Sequence, residues 1–436
     1  MHTSNKNQTY KRFIEAIVHR FGDVSRADIH KLTNLRPSTI SGLVRELLKE
    51  KRLIETGPGA NRLGRKQVLL RLNERYKFIL GIEFDDEIVV AAIMSLRPEV
   101  THMVSEATYL GGGIEGLVKQ LKSCSNKVMR KAGIKPHSLL GIGIADPGLI
   151  DTRRGITLIS STIDFWKQVP LKQRFELEFK IGTLVESRTR AKAWAERILG
   201  AGGMKDNLIY VDYGSGIGAG VIVDGKLLYG RDCAVGEFGH TRIMEGGPAC
   251  KCGSIGCLEA IAGAGAIRSR IRQVVEEGAS PGIHLSSEFD SAMTTAWTVL
   301  EAAKSGDKIC RNIVADMARH LGLGIANLVN LFNPSVVVLD KRLELGGEGL
   351  LEQIVRIIGR QSLSSSSDGI AVKFGTLDSK AGVLGIGLCI LDRHFRIPSL
   401  TVPKFLTRPR TTPKGYQGAS DDAQPGESRD VPAQPN

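Results

Sequence analysis

Long apolar runs are missing from this chain. Its 436 residues contain no stretch of about 18 apolar positions, so no transmembrane helix is expected. The opening segment MHTSNKNQTYKRFIEAIVHR has neither the apolar centre nor the small-residue cleavage site of a secretory leader. Cysteine is scarce: seven residues, an odd number, exclude a disulfide scaffold and suggest a reducing cytoplasm. Disorder throughout is excluded too, because 42% hydrophobic and 24% charged residues can form an ordinary core. The length suits two or three domains of roughly 100–200 residues each.

Acidic residues are too few to balance the basic ones, and the imbalance is local. The chain carries +13, of which residues 1–75, with 16 Lys or Arg against 7 Asp or Glu, hold +9. Such an asymmetry suits a polyanionic partner, since each Lys or Arg placed on a phosphate releases counterions. A solvated basic face is the plainer alternative.

The pattern of that segment narrows the choice. Phe13, Ile14, Ile17, Val18 and Phe21 recur at helical spacing over 10–21. Gly22 and Asp23 end this helix, and Ser25 is placed to N-cap a second over Arg26–Thr33, with Ile29 and Leu32 inward. Asn34-Leu35 makes a turn. A third helix opens at Pro37 and runs to about Lys51 on a stripe of Ile40, Leu43, Val44, Leu47 and Leu48. Leu53-Ile54 and Val68–Leu70 flank two glycine-containing segments and read as a β-ribbon. Three helices and a ribbon predict a winged helix-turn-helix. Arg36, Ser38, Thr39, Ser41, Gly42 and Arg45 lie off the apolar stripe, at the end of the second motif helix that meets base edges in the major groove. Arg can bridge guanine O6 and N7, and Ser and Thr adapt to several bases. Arg62, Arg65 and Lys66 in the ribbon are placed for phosphate or the minor groove. The competing reading is a helical bundle for protein contact, but helix spacing, turn and charge all favour a double-stranded DNA operator.

From about residue 78 the texture changes. FILGIEF, EIVVAAIMSL, LLGIGIAD, NLIYVDYG, GAGVIVDGKLLYG and PSVVVLD are short apolar strands, and helices are expected at 112–133, 188–200, 257–277, 290–304 and 308–331. Strands alternating with helices predict an α/β domain, and its length suggests two lobes with a cleft. Residues 406–436 are rich in proline and polar residues, and a disordered tail is expected there.

Within AVGEFGHTRIMEGGPACKCGSIGCLEAIAG, His240, Cys250, Cys252 and Cys257 give H-x9-C-x-C-x4-C. Three thiolates and one imidazole close a tetrahedral zinc site with no open position, which makes the ion structural. Gly253 and Gly256 allow the tight turns this needs. Cys124, Cys233, Cys310 and Cys389 stand alone and read as buried apolar residues. Thiol redox chemistry is the weaker alternative for the cluster.

At these residues the sequence resembles the ROK family (repressors, open reading frames, sugar kinases) over roughly residues 10–398. The resemblance rests on Gly236-Glu237-Phe238-Gly239-His240, on Cys250 to Glu259, on Gly214 to Gly220 and on Asp146-Pro147-Gly148-Leu149-Ile150-Asp151. A winged helix ahead of such a domain looks like the branch of sugar-responsive repressors that includes the xylose and N-acetylglucosamine regulators. The resemblance implies a two-lobed, actin-like and hexokinase-like fold. The winged helix would span 1–75, the first lobe 76–190 completed by about 380–398, and the second lobe 191–379 with the zinc site. Dimers or tetramers are implied as well. Glu237, His240 and Glu259 would touch sugar hydroxyls, and His240 would bind zinc through its other ring nitrogen.

Family kinases transfer phosphate from ATP, and here most of the machinery is altered. Where they carry Asn-Asp-Ala-Asn, with Asp as the base, this chain has Ser187-Arg188-Thr189-Arg190, and a guanidinium cannot accept a proton. The first phosphate loop is Glu83-Phe84-Asp85-Asp86, with carboxylates for glycines, and the adenosine-side Gly-Gly is Asp340-Lys341. Only Gly214–Gly220 persists, and it could simply shape a turn between strands. The expected function is therefore a kinase-inactive, ligand-controlled repressor, with a sugar kinase as the alternative and control by a protein partner as a third reading. Ser187 and Arg188 would border the ligand. Arg188 and Arg190 are either drift in a dead active site, solvated or paired with Glu186 or another carboxylate, or they form an anion site for a sugar phosphate or acidic sugar.

Overall fold

The computed structural model describes residues 2–58, 67–283 and 291–396. The N-terminal module comprises α1 (His2–Phe21), β1 (Val24–Ser25), α2 (Arg26–Thr33), α3 (Pro37–Lys49), β2 (Leu53–Pro58) and β3 (Val68–Leu72). Ser25 N-caps α2 in a capping box with Asp28: the Asp28 N–H donates to the Ser25 hydroxyl (3.1 Å), and the Ser25 N–H donates to the Asp28 carboxylate (3.0 Å). Asn34 ends α2 in the left-handed region, and Pro37 opens α3. Ile14, Ile17, Ile29, Ile40, Val44, Leu47 and Leu70 form the module's core. Two details differ from expectation. The first helix begins at His2 rather than near Tyr10, because its early turns are polar and leave no apolar period to read. The ribbon gains a third strand, giving the order β1-β3-β2.

The first lobe contains β4 (Phe78–Phe84), β5 (Ile88–Ser95), β6 (Val100–Ala107), α4 (Gly113–Ala132), β7 (Leu139–Asp146), β8 (Leu149–Asp151), β9 (Ile156–Ile159), β10 (Lys167–Val169), α5 (Leu171–Phe179) and β11 (Thr183–Ser187). Its main sheet runs β11-β7-β4-β5-β6. β4 and β7 are parallel and buried on both faces, which is why they read as unbroken apolar runs. α6 (Arg188–Leu199) then leads to the second lobe.

That lobe holds β12 (Leu208–Tyr213), β13 (Ile217–Val223), β14 (Lys226–Leu227), α7 (Leu258–Ala262), α8 (Ala264–Glu276), α9 (Ala292–Lys304), α10 (Lys308–Phe332), β15 (Val336–Leu339), α11 (Glu348–Gln361), α12 (Ser364–Ser367) and β16 (Ala371–Phe374), with sheet order β14-β13-β12-β15-β16. The expected single helix over 257–277 is two helices. Gly263 is extended, with φ −74° and ψ 170°, so it ends α7 and N-caps α8. The last helix, α13 (Ala381–Phe395), returns to pack on β4, β7 and α6. Among the described residues no helix is long and apolar enough to cross a membrane. Arg62, Arg65, Lys66 and residues 406–436 lie outside the described residues.

Candidate functional site

Polar side chains from both lobes meet in one cleft. Its walls include Pro147, Thr162, Ser187, Arg188, Asp212, Ser215, Gly216, Glu237, His240 and Glu259. All five residues expected to border a ligand, Ser187, Arg188, Glu237, His240 and Glu259, are thus brought together. Glu259 is fixed on the first turn of α7 by accepting the Ile217 N–H (2.9 Å). At the base of the first lobe, Asp146 is fully buried and accepts from Thr157, Trp166 (2.9 Å) and the Gly148 N–H (2.8 Å). Burial raises its pKa against these hydrogen bonds.

Arg188 and Arg190 do not face the cleft as free cations. Arg188 is 6% exposed, and its guanidinium pairs with Asp85 (2.7 Å) from the first lobe and Asp212 (3.4 Å) from the second. Arg190 pairs with Glu186 (2.8 Å) and donates to the Cys233 carbonyl (2.9 Å). Of the two readings of these arginines, the geometry fits pairing with carboxylates. Lys192, missed in the sequence, sits on the same face of α6 as Arg188 and meets Asp212 (3.0 Å), Asp340 (3.6 Å) and Glu83 (3.7 Å). Arg342 pairs with Asp340 (3.0 Å) and donates to the Tyr213 carbonyl (3.0 Å). Carboxylates at the ends of apolar strands, as in LIYVDYG and VVVLD, were the available signal for this network.

The carboxyls respond unequally. Burial pushes Asp85 up, but Arg188 and the N–H groups of Glu87 and Ile88 overcome it and hold the group below the ordinary range. Asp340 is likewise lowered, as Arg342 and Lys192 outweigh its burial. Glu83 is raised, because its burial outweighs Lys192 and Arg188. An acid with a depressed folded pKa adds stability that is complete above its unfolded pKa and lost as pH falls through the folded one. Asp85 and Asp340 therefore support the fold fully above about pH 4 and lose that contribution progressively as pH falls from there through their depressed folded values. Thermal melts from pH 7 to 2 are expected to show a shallower acid limb in Asp85→Asn than in the parent chain; parallel curves would refute this assignment.

The persistent glycine run has a packing role. Gly214 N–H donates to the Gly216 carbonyl (2.9 Å) to close the β12–β13 turn. A Cβ at Gly216 would stand 2.6 Å from the Glu259 carboxylate, and one at Gly218 2.9 Å from the Thr189 hydroxyl. The Ser215 hydroxyl bonds Asp86 across the cleft. The chain's own side chains thus pack closely against this loop.

Beside the cleft, the ligand atoms of His240, Cys250, Cys252 and Cys257 all lie within 4.8 Å of one another, a cluster able to hold a metal ion. Cys250 Sγ is 3.6 Å from His240 Nδ1, and Cys252 Sγ is 3.7 Å from Cys257 Sγ. Metal–sulfur bonds of about 2.3 Å at tetrahedral angles give edges of about 3.8 Å, so the donors fit one small ion. With Nδ1 turned to the sulfurs, Nε2 is the His240 nitrogen left for a ligand. Gly253 (φ +89°) and Gly256 (φ +70°) take the left-handed region in the turns, where a Cβ at Gly256 would overlap the Met244 carbonyl.

On the N-terminal module, Arg36 at the N-cap of α3 and Ser38 and Arg45 on it are exposed, and Thr39 and Ser41 are half-buried beside them. Among the described residues nothing lies within 4 Å of where a Cβ on Gly42 would stand.

Comparison with known proteins places this arrangement. Residues 106–392 match the ROK family. A xylose repressor of Caldicellulosiruptor bescii is 33% identical over 370 residues, covering 85% of this chain and 92% of the repressor. A glucokinase of Halalkalibacterium halodurans is 34% identical over 321 residues, 73% of this chain and 96% of the enzyme. The crystal structure of a ROK family transcriptional regulator, a homologue of the E. coli MLC protein, superposes with a TM-score of 0.75 at 24% identity, covering 89% of this chain and 97% of the other, and shares the fold. The chain belongs to the ROK family, as one of its transcriptional regulators. Its likeness to the glucokinase reflects the shared two-lobed fold.

Proposed function

We propose that this chain is a sequence-specific DNA-binding repressor, kinase-inactive, whose two-lobed domain senses a neutral sugar or sugar derivative. The observation that carries this reading is the union of two features in one chain: an α3 with an open polar face on a basic module, and a cleft where Glu237, His240 and Glu259 converge beside arginines already paired. Carboxylates and an imidazole suit hydroxyl groups, and engaged arginines leave little attraction for a phosphate. The repressor relative points to a pentose such as xylose as the first effector to try. A structural Zn2+ on His240, Cys250, Cys252 and Cys257 would tie the cleft wall together. The protein would act in the cytoplasm as a homodimer or homotetramer, since paired recognition helices read a two-fold operator.

Selection of binding sites from genomic fragments with the full chain tests the reading, and failure to enrich any sequence at low salt would sink it. On a selected site, Arg45→Ala is expected to lower affinity by about 1–3 kcal/mol, roughly 5- to 150-fold. Unchanged binding would remove Arg45 from the reading surface. Thermal shift with xylose, glucose, N-acetylglucosamine and their phosphates tests the effector class. Stabilisation by phosphorylated forms alone would reverse the assignment to neutral sugars.

A further inference from the structure

The DNA-binding module is seated on the two-lobed body through the end of α13. Phe395, the last residue of that helix, packs against the module core and also against the first-lobe cluster of Ile79, Leu388 and Leu391. Its ring stacks on His19 of α1, with centroids 4.3 Å apart. One aromatic side chain therefore belongs to two cores.

The other end of α13 abuts the buried charge network behind the cleft. A Cβ at Gly382 would overlap the Glu83 carboxylate, which belongs to the Lys192 network, and one at Gly385 would overlap the Ala191 carbonyl on α6. Two helices in such close contact cannot slide past each other without clashing or separate without losing packed contacts, and close-packed interiors transmit displacement. α6 itself starts at Arg188, the residue that joins Asp85 of the first lobe to Asp212 of the second. A change in lobe angle must alter this bridge.

We propose that α6 and α13 act as one rigid strut that carries the state of the cleft to the DNA-binding module, with Phe395 as the contact through which it is delivered. The proposal rests on the regulator reading for its purpose, while the mechanical linkage can be tested without effector or operator. A second route must be separated from it: the covalent linker touches the body where the Leu96 N–H donates to the Glu74 carbonyl (3.3 Å).

Asp85→Asn is a suitable perturbation of the cleft. It keeps the oxygen that accepts the Glu87 and Ile88 N–H groups, and it removes the charge facing Arg188. Hydrogen exchange followed by mass spectrometry on the full chain then reads residues 10–21. In the parent background, Asp85→Asn should change exchange in α1 several-fold. In a Phe395→Ala background the same substitution should leave α1 unmoved. Should Phe395→Ala fail to fold, Phe395→Leu keeps apolar bulk, loses the ring stack, and should attenuate the response. No response of α1 to Asp85→Asn in the parent chain overturns the proposal, and so does an equal response in the Phe395 variants, which would assign the coupling to the linker. Failure of the regulator reading would show separately, as an absence of selected DNA sites.

Discussion

Cys252→Ser is expected to take the zinc content of the purified protein from about one equivalent per chain to well under half, and to lower its thermal midpoint by several degrees. The four donors all come from the protein, so losing one leaves three ligands and an open position where a closed tetrahedron is needed. Structural zinc contributes folding free energy directly, about 10–16 kcal/mol of apparent binding in isolated peptides. Here a smaller part of that should appear as global stability, because the loop is also held by its own hydrogen bonds, such as Cys250 N–H to the Ser254 carbonyl (2.8 Å). The local effect should be larger. His240 would lose its anchor on Nδ1, so the cleft wall should loosen and sugar affinity should fall along with metal content. Elemental analysis and thermal melts on the same samples check both parts. A variant that keeps a full equivalent of metal, or a parent protein purified without it, would remove zinc from the account.

The metal cluster, the winged helix and the polar face of α3 were legible in the sequence because each depends on residues close together along the chain. H-x9-C-x-C-x4-C folds over itself within two turns, and the N-cap of α2 needs only Ser25, whose reciprocal bond with Asp28 the structure adds. The buried network was not legible in this way. Asp85, Arg188, Asp212 and Asp340 are far apart in sequence, and only the juxtaposition of strand ends β4, β12 and β15 around α6 brings them together. Their residue types could be read as losses from a phosphate site. That the replacements would pair could be read only for Arg190, whose partner Glu186 lies four residues earlier, at the end of β11. Gly263 shows the limit at short range: one extended glycine divides a helix whose apolar period continues on both sides.

Arg188→Met is expected to destabilise the protein by about 3–5 kcal/mol, the usual result of removing one partner from a buried ion pair. Asp85 and Asp212 are both more than four-fifths shielded at the side chain, and each would be left with an uncompensated charge or forced to take up a proton. Lys192 still faces Asp212 and would limit the loss there. The greater loss should fall on Asp85, whose remaining stabilisation comes chiefly from the Glu87 and Ile88 N–H groups. This gives a sharp form of the test. Combining Arg188→Met with Asp85→Asn should restore part of the stability, because the second change removes the stranded charge, and the two substitutions should be strongly non-additive. Denaturant unfolding of the parent, both single variants and the double variant closes the cycle. Additive losses would mean that the pair is solvated and energetically idle. Partial rescue would mean that the two lobes are held together by the protein's own charges, across the junction that an effector must open or close.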